Sequence, residues 1–355
     1  MVRWQRIVLG VLIVAILATG AAALAVRASD DDTAAPDPST TTSTSTTSTS
    51  TSTTTTSTTV PTTTTTTAPT TTTAPAIPWA PLPKDGIARA VQTPNGIVLA
   101  VVRTNADGSF VAVAPCGDQV TVRGTPITGA TIVLDPGHGG DEHGAVGPSG
   151  LTEKAVNLAV AQLVQKQLQA QGATVVLTRT ADYRITLASR RAIADALHPT
   201  LFISIHHNAE PDGPHDGPGG ETYFQIRSAD SKRAAGLIYE EEVKAFSAYK
   251  IAWVGDRDAG AKYRLKADGT DYYGIIHGVT PPAVLSEAMF ITNPPEEHLL
   301  AQPAFRSVEA GAIARAVVRY VTTKDPGSGF TTPYPRTQPA GPGGGNAGCV
   351  DPPLG

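Results

Sequence analysis

Cysteine is nearly absent from this chain of 355 residues. Only Cys116 and Cys349 occur. That excludes a zinc–cysteine cluster and allows at most one disulfide. In an oxidising compartment Cys349 could reach back to Cys116, and two free thiols are the alternative. An excess of basic charge is missing too. The formal net charge is −4, which argues against a general nucleic-acid binder. Residues 36–76, almost only Thr, Ser, Pro and Ala, lack any apolar face. Such a run cannot offset the entropy of ordering and reads as an exposed stalk, within a linker spanning 29–76. A short metal code of the H-E-x-x-H kind is also absent.

What is there begins at residues 1–28. Arg3 and Arg6 precede an apolar run from Ile7 to Val26, and about 20 such residues suffice to cross a bilayer. The positive flank keeps the N-terminus in the cytoplasm. The length of the run favours an uncleaved anchor. Small residues around Ala23-Leu24-Ala25 favour a cleaved signal. On either reading the rest of the chain is exported, membrane-anchored or secreted.

Residues 77–130 carry β-branched runs on both sides of Asn105-Ala106-Asp107-Gly108, a hairpin signal. They predict a small β-unit that packs on the main domain or precedes it. Nothing in it points to chemistry. The tail 325–355 is rich in Gly and Pro and predicts disorder until its end.

Between 131 and 324 the pattern alternates. Ile132–Leu134, Thr174–Leu177, Leu201–Ile205, the run GGETYFQI and Val284–Leu285 read as strands. Helical spacing joins Val156, Ala159, Leu163, Val164 and Leu168, and Gly172 ends that run. A second helix starts at Thr186 as N-cap and breaks at His198-Pro199. Further helices cover about Ser231 to Ala248 and Phe305 to Val321. This is an α/β pattern: a twisted, mostly parallel sheet flanked by helices.

In open α/β sheets ligands bind beyond the carboxyl ends of the strands. His138 follows one strand in DPGHGG, His206 ends another in LFISIHHNA, and Glu287 ends a third in PAVLSEAMF. Glu153 opens the helix after the glycine loop. Two imidazoles and one carboxylate with an open position form a catalytic zinc arrangement, which lowers the pKa of a bound water to about 7. A second carboxylate beside it can pass the proton to a leaving amine. Asp135 reads as a brace for the loop or for the His138 ring. His206 and His207 point to opposite faces of their strand, so both do not ligate one ion. His143, His215 and His298 read as surface residues.

The motifs DPGHGG, GLTEK, SIHHNA and PAVLSEAMFITNP, in that order over nearly all of 131–322, resemble the zinc-dependent N-acetylmuramoyl-L-alanine amidases of the third type. The resemblance implies that His138, Glu153 and His206 hold Zn2+ and that Glu287 is the catalytic carboxylate. It implies a twisted sheet covered by helices. The implied substrate is peptidoglycan, cut between the muramic acid lactyl group and the first L-alanine of the stem peptide. It also selects His206 over His207 as the ligand. The chain departs from the family pattern at Asp195 and Thr200, which should affect packing or the bonds that support the ligands rather than ligation, and at His277, where the family frequently has Lys or Arg and where substrate contact or local charge should differ. The family's regulatory helix is not identifiable, and 251–274 reads equally as a substrate-lining loop. Two rivals remain open: a zinc peptidase acting on stem-peptide bonds, and a wall-binding module without catalysis. A glycosidase with two carboxylates would not need His138 and His206.

Overall fold

Five short strands open the ordered chain of this computed structural model, which describes residues 76–334 and 344–355. They are β1 (Ala90–Gln92), β2 (Val98–Thr104), β3 (Phe110–Val113), β4 (Gln119–Val122) and β5 (Thr125–Ile127). All pair antiparallel, in the order β4-β3-β2-β1-β5. The β2–β3 turn is the one expected at Asn105–Gly108. Asp107 accepts from the Ser109 N–H at 3.0 Å, and Gly108 takes a φ of 76°, a region glycine enters without a Cβ penalty.

The alternating region follows: β6 (Ile132–Pro136), α1 (Glu153–Gln169), β7 (Val175–Leu177), α2 (Leu187–Leu197), β8 (Leu201–Asn208), β9 (Gly213–His215), β10 (Gly219–Phe224), α3 (Ala229–Phe246), β11 (Trp253–Lys262), β12 (Ala283–Phe290), α4 (Pro294–Leu300) and α5 (Pro303–Thr322). Its seven strands are ordered β7-β6-β8-β12-β10-β11-β9. Only the β10–β12 and β9–β11 pairings are antiparallel. The sheet is α/β in class and mostly parallel.

Local chemistry sets the helix ends. The Thr186 hydroxyl accepts the Ser189 N–H and starts α2, and His198 closes it in the left-handed region. Ser228 caps α3 in the same way as Thr186 caps α2. Val156, Val160, Val164 and Leu168 bury the inner stripe of α1 against Ile132, Leu134, Ile203 and Ile205. α3 and α5 complete that layer. On the other sheet face, Val133, Phe202 and Leu285 meet Ile193 and Leu197 of α2, and the same core continues into Val91, Leu99 and Phe110 of the small sheet. Helix α2 is therefore sandwiched between the two sheets.

The tail differs from expectation. Residues 325–334 are not disordered: Ala261 N–H donates to the Gly329 carbonyl at 2.8 Å and Thr331 N–H to the Ala261 carbonyl at 3.1 Å. The backbone thus lays a bridge on β11. Further on, Cys349 forms a disulfide with Cys116, and Asp351 accepts from the Cys116 N–H at 2.7 Å. Segment 251–274 begins with strand β11, and its remainder brings Arg264, Lys266, Tyr272, Tyr273 and Gly274 to the wall of a cleft. The expected membrane segment, 1–28, and the Thr-rich run up to residue 75 lie outside the described residues. Among the described residues no helix is long and apolar enough to cross a membrane.

Candidate metal centre and catalytic cleft

Strand β6 ends in a clamped turn. Asp135, fully buried, accepts hydrogen bonds from Thr178 (2.5 Å), Ser204 (2.6 Å) and Arg190 (2.7 Å). Burial alone would raise its pKa. The Arg190 charge and these bonds outweigh burial and hold it below its usual range. Arg190 also donates to the carbonyls of Pro136 (2.8 Å) and His138 (2.7 Å). Arg179 donates to those of Pro136 and Gly137, both at 2.9 Å. Asp135 therefore braces the loop through Arg190, and no bond joins it to the His138 ring. Two buried guanidiniums hold the loop carbonyls while the next side chain is turned outward. That residue, His138, has a φ of 59°, a strained conformation for a side chain with a Cβ. Gly137 is required by space: a Cβ there would lie 2.1 Å from the His206 Nε2.

Glu153 begins α1 and links both imidazoles. Its Oε2 lies 3.1 Å from His138 Nε2, and its Oε1 lies 2.9 Å from His206 Nδ1. The Ala145 N–H (2.8 Å), the Asn157 amide (3.2 Å) and the His207 N–H (3.2 Å) also donate to it. Burial raises its pKa. Hydrogen bonds and charge from His138 and His206 outweigh that and hold the carboxyl well below the usual range. Burial pushes His206 down, towards neutral imidazole. One ligand atom from each of His138, Glu153 and His206 falls within 4.8 Å of the others. Two imidazole nitrogens and one carboxylate oxygen, with sulfur absent, form a donor set that fits zinc.

Glu287 is placed by register. On β12 it pairs with His206 of β8 on one side and with Glu221 of β10 on the other. In-register residues share a face, so the three side chains stand in a row. Burial pushes Glu287 well above the usual carboxylate range, with the Glu153 and Glu221 charges adding to it. Among the described residues no hydrogen bond reaches its carboxylate. Glu221 itself is fully buried. Lys262 pairs with it and with Asp258, the latter at 2.6 Å. Asn208 and the Tyr223 hydroxyl donate to it at 2.8 and 2.7 Å.

His138, His206, Glu287, Arg264, Tyr273 and Gly344 line one cleft of about 520 Å3. His277 lies elsewhere, in a separate cleft of about 560 Å3 that contains none of the four predicted site residues. His143, His215 and His298 are exposed. His207 is buried on the opposite sheet face, 2.8 Å from the Asn157 Oδ1 and 3.2 Å from Glu309.

Residues 132–319, more than half of the chain, match the family model for N-acetylmuramoyl-L-alanine amidase. The chain belongs to this family. It is 35% identical over 215 residues to the uncharacterized protein YqiI of Bacillus subtilis, covering 60% of this chain and 93% of that one. It is 37% identical over 197 residues to the N-acetylmuramoyl-L-alanine amidase LytC of Bacillus subtilis, covering 55% of this chain and 36% of LytC. Among solved structures, the catalytic domain of CwlV, an N-acetylmuramoyl-L-alanine amidase from Bacillus (Paenibacillus) polymyxa var. colistinus, is 34% identical. That match has a TM-score of 0.46 and covers 54% of this chain and 98% of that domain.

In this family member, sequence reasoning missed Glu221 and Lys262. Alternation along GGETYF puts Glu221 on the same face as Tyr223, but nothing in that run tells which residues the face meets.

Proposed function

We propose that the chain is a zinc-dependent N-acetylmuramoyl-L-alanine amidase that cuts peptidoglycan between muramic acid and the L-alanine of the stem peptide. The observation that carries this reading is the convergence of the His138, Glu153 and His206 donor atoms within 4.8 Å, with Glu287 in register beside His206. His138, Glu153 and His206 would hold zinc. When bound, zinc supplies Lewis-acid activation of water and of the scissile carbonyl. Glu287 stands next to that position on its own strand. In the ionised form it takes the proton of the attacking water, and it then gives that proton to the departing alanine nitrogen. Burial, with the Glu153 and Glu221 charges, raises Glu287; a divalent cation held by His138, Glu153 and His206 would offset the Glu153 part of that rise. Arg179 and Arg190 keep the His138 loop in place while the cleft fills.

The Cys116–Cys349 disulfide accords with work outside the cytoplasm, as does the apolar run from Ile7 to Val26 as a membrane anchor or export signal. Mass spectrometry of peptidoglycan digested by the purified zinc-loaded chain tests the reading. Free stem peptides starting with L-alanine, beside intact glycan, are expected. Peptides cut internally would replace the amidase by a peptidase, and cut glycan would remove both. Strong chelation should abolish the release and zinc should restore it.

A further inference from the structure

Between β11 and β12 the chain makes a small hairpin over the cleft. Tyr272 N–H donates to the Arg264 carbonyl at 2.8 Å and Lys266 N–H to the Thr270 carbonyl at 2.8 Å. Asp268 ties the tip by accepting from the Thr270 N–H at 2.9 Å. The hairpin brings Arg264 and Lys266 to the cleft that holds His138, His206 and Glu287. Arg264 is half-buried. Its guanidinium lies 4.0 Å over the Tyr272 ring and 5.9 Å from the Tyr273 ring, and it donates a long bond of 3.5 Å to the Tyr273 hydroxyl.

No carboxylate among the described residues pairs with Arg264. Two acids of the cleft wall are otherwise engaged: Asp135 with Arg190 at 2.7 Å, and Glu142 with Arg184 at 3.2 Å and the Gly344 N–H at 2.8 Å. The third, Glu287, makes no ion pair with Arg264. A stacked guanidinium is oriented in advance. Its fork fits a carboxylate with two parallel bonds, and partial burial strengthens each of them.

We propose that Arg264, supported by the charge of Lys266, forms a subsite for a carboxylate of the stem peptide, the α-carboxylate of the D-glutamate that follows the alanine. This rests on the amidase reading of the same cleft. The chemistry selects the peptide side of the scissile bond. The muramoyl side presents hydroxyl and acetamide groups to the cleft, whereas the peptide side carries a carboxylate one residue beyond the alanine. Arg264 then fixes the peptide while Glu287 and the metal donors face the amide.

Two probes differ only in that group: the product dipeptide L-alanyl-D-glutamate and its α-amide, L-alanyl-D-isoglutamine. Neither contains the muramoyl amide, so their binding to the zinc-loaded chain is measured by calorimetry without turnover. The native chain is expected to bind the acid about tenfold more tightly than the amide, a gap of about 1.4 kcal/mol. Arg264→Gln should bring the acid down to the affinity of the amide. Arg264→Lys, which keeps charge but not the fork, should retain part of the gap, and its thermal melt reports whether the tyrosine stack survives. Equal affinities in the native chain, or a preference that persists in Arg264→Gln, would overturn the subsite. Turnover of the two muramoyl dipeptides is followed separately. A chain that keeps the acid preference but cleaves neither loses the amidase reading and keeps the subsite.

Discussion

Glu287 and His138 should fail in different ways. Glu287→Gln keeps shape and hydrogen-bonding capacity but removes the base, so zinc content should stay native while turnover falls by about 10²–10⁴-fold. His138→Ala takes away one of three donors and should lower zinc content itself. Metal analysis beside turnover separates the two, and loss of zinc from Glu287→Gln would move that residue into the ligand set. His138, Glu153, His206 and Glu287 could all be located in the sequence, because each sits in a short motif at a strand or helix end. Glu221 and Lys262 could not. Glu221 meets Glu287 only because β10 returns antiparallel beside β12, and Lys262 meets Glu221 only because β11 runs parallel to β10. Neither register is written locally.

At the level of elements, α1 and α2 could be read because capping and spacing agree with packing. The Thr186 cap and the His198 stop reappear in the fold. Of the expected α1 stripe, Val156, Val164 and Leu168 are buried, whereas Ala159 and Leu163 are half-buried and Val160 and Ala161 take inner places. Strand β11 could not be read: WVGDRDAGAK mixes buried Asp256, Asp258 and Lys262 with glycines, and its buried charges imitate a loop. Helix α4 is one short piece, PPEEHLL, below the length at which periodicity speaks. The β6–α2 junction gives a prediction of its own. Asp135 titrates below its usual range in the folded chain, as its bonds to Arg190, Ser204 and Thr178 outweigh burial. An unfolded aspartate titrates near about 3.9. The folded group therefore stays charged after the unfolded one has taken a proton. Its contribution is full above about pH 4 and is lost as pH falls through the folded value. Asp135→Asn should cost about 3–5 kcal/mol at neutral pH, since it leaves Arg190 buried without its partner. The difference from the native chain should shrink below about pH 4. Denaturant unfolding at pH 7 and pH 3 measures both gaps, and a constant difference would contradict the assignment.

For the whole molecule, Cys116–Cys349 closes a separation of 233 residues. In the chain-entropy account such a link restrains the unfolded chain by about 5 kcal/mol, and native losses are typically 2–5 kcal/mol. Cys349→Ser should lower the thermal midpoint by several degrees, at about 2–4 °C per kcal/mol. Limited proteolysis should then find residues 344–355 first, and a variant melting at the native temperature would show that the link contributes nothing. The sequence left this pairing open because two cysteines so far apart carry no spacing signal. The pair of histidines on β8 has a different consequence, for fidelity of assembly. His206 faces Glu153, and His207 faces Asn157 and Glu309. A strand slipped by one position exchanges its faces, yet a slip that brings His207 to the place of His206 would still offer an imidazole to Glu153. Metal uptake is thus blind to that error. The misplaced chain betrays itself only on the far side of the sheet, where Glu309 would meet Asn208 instead of a ring nitrogen.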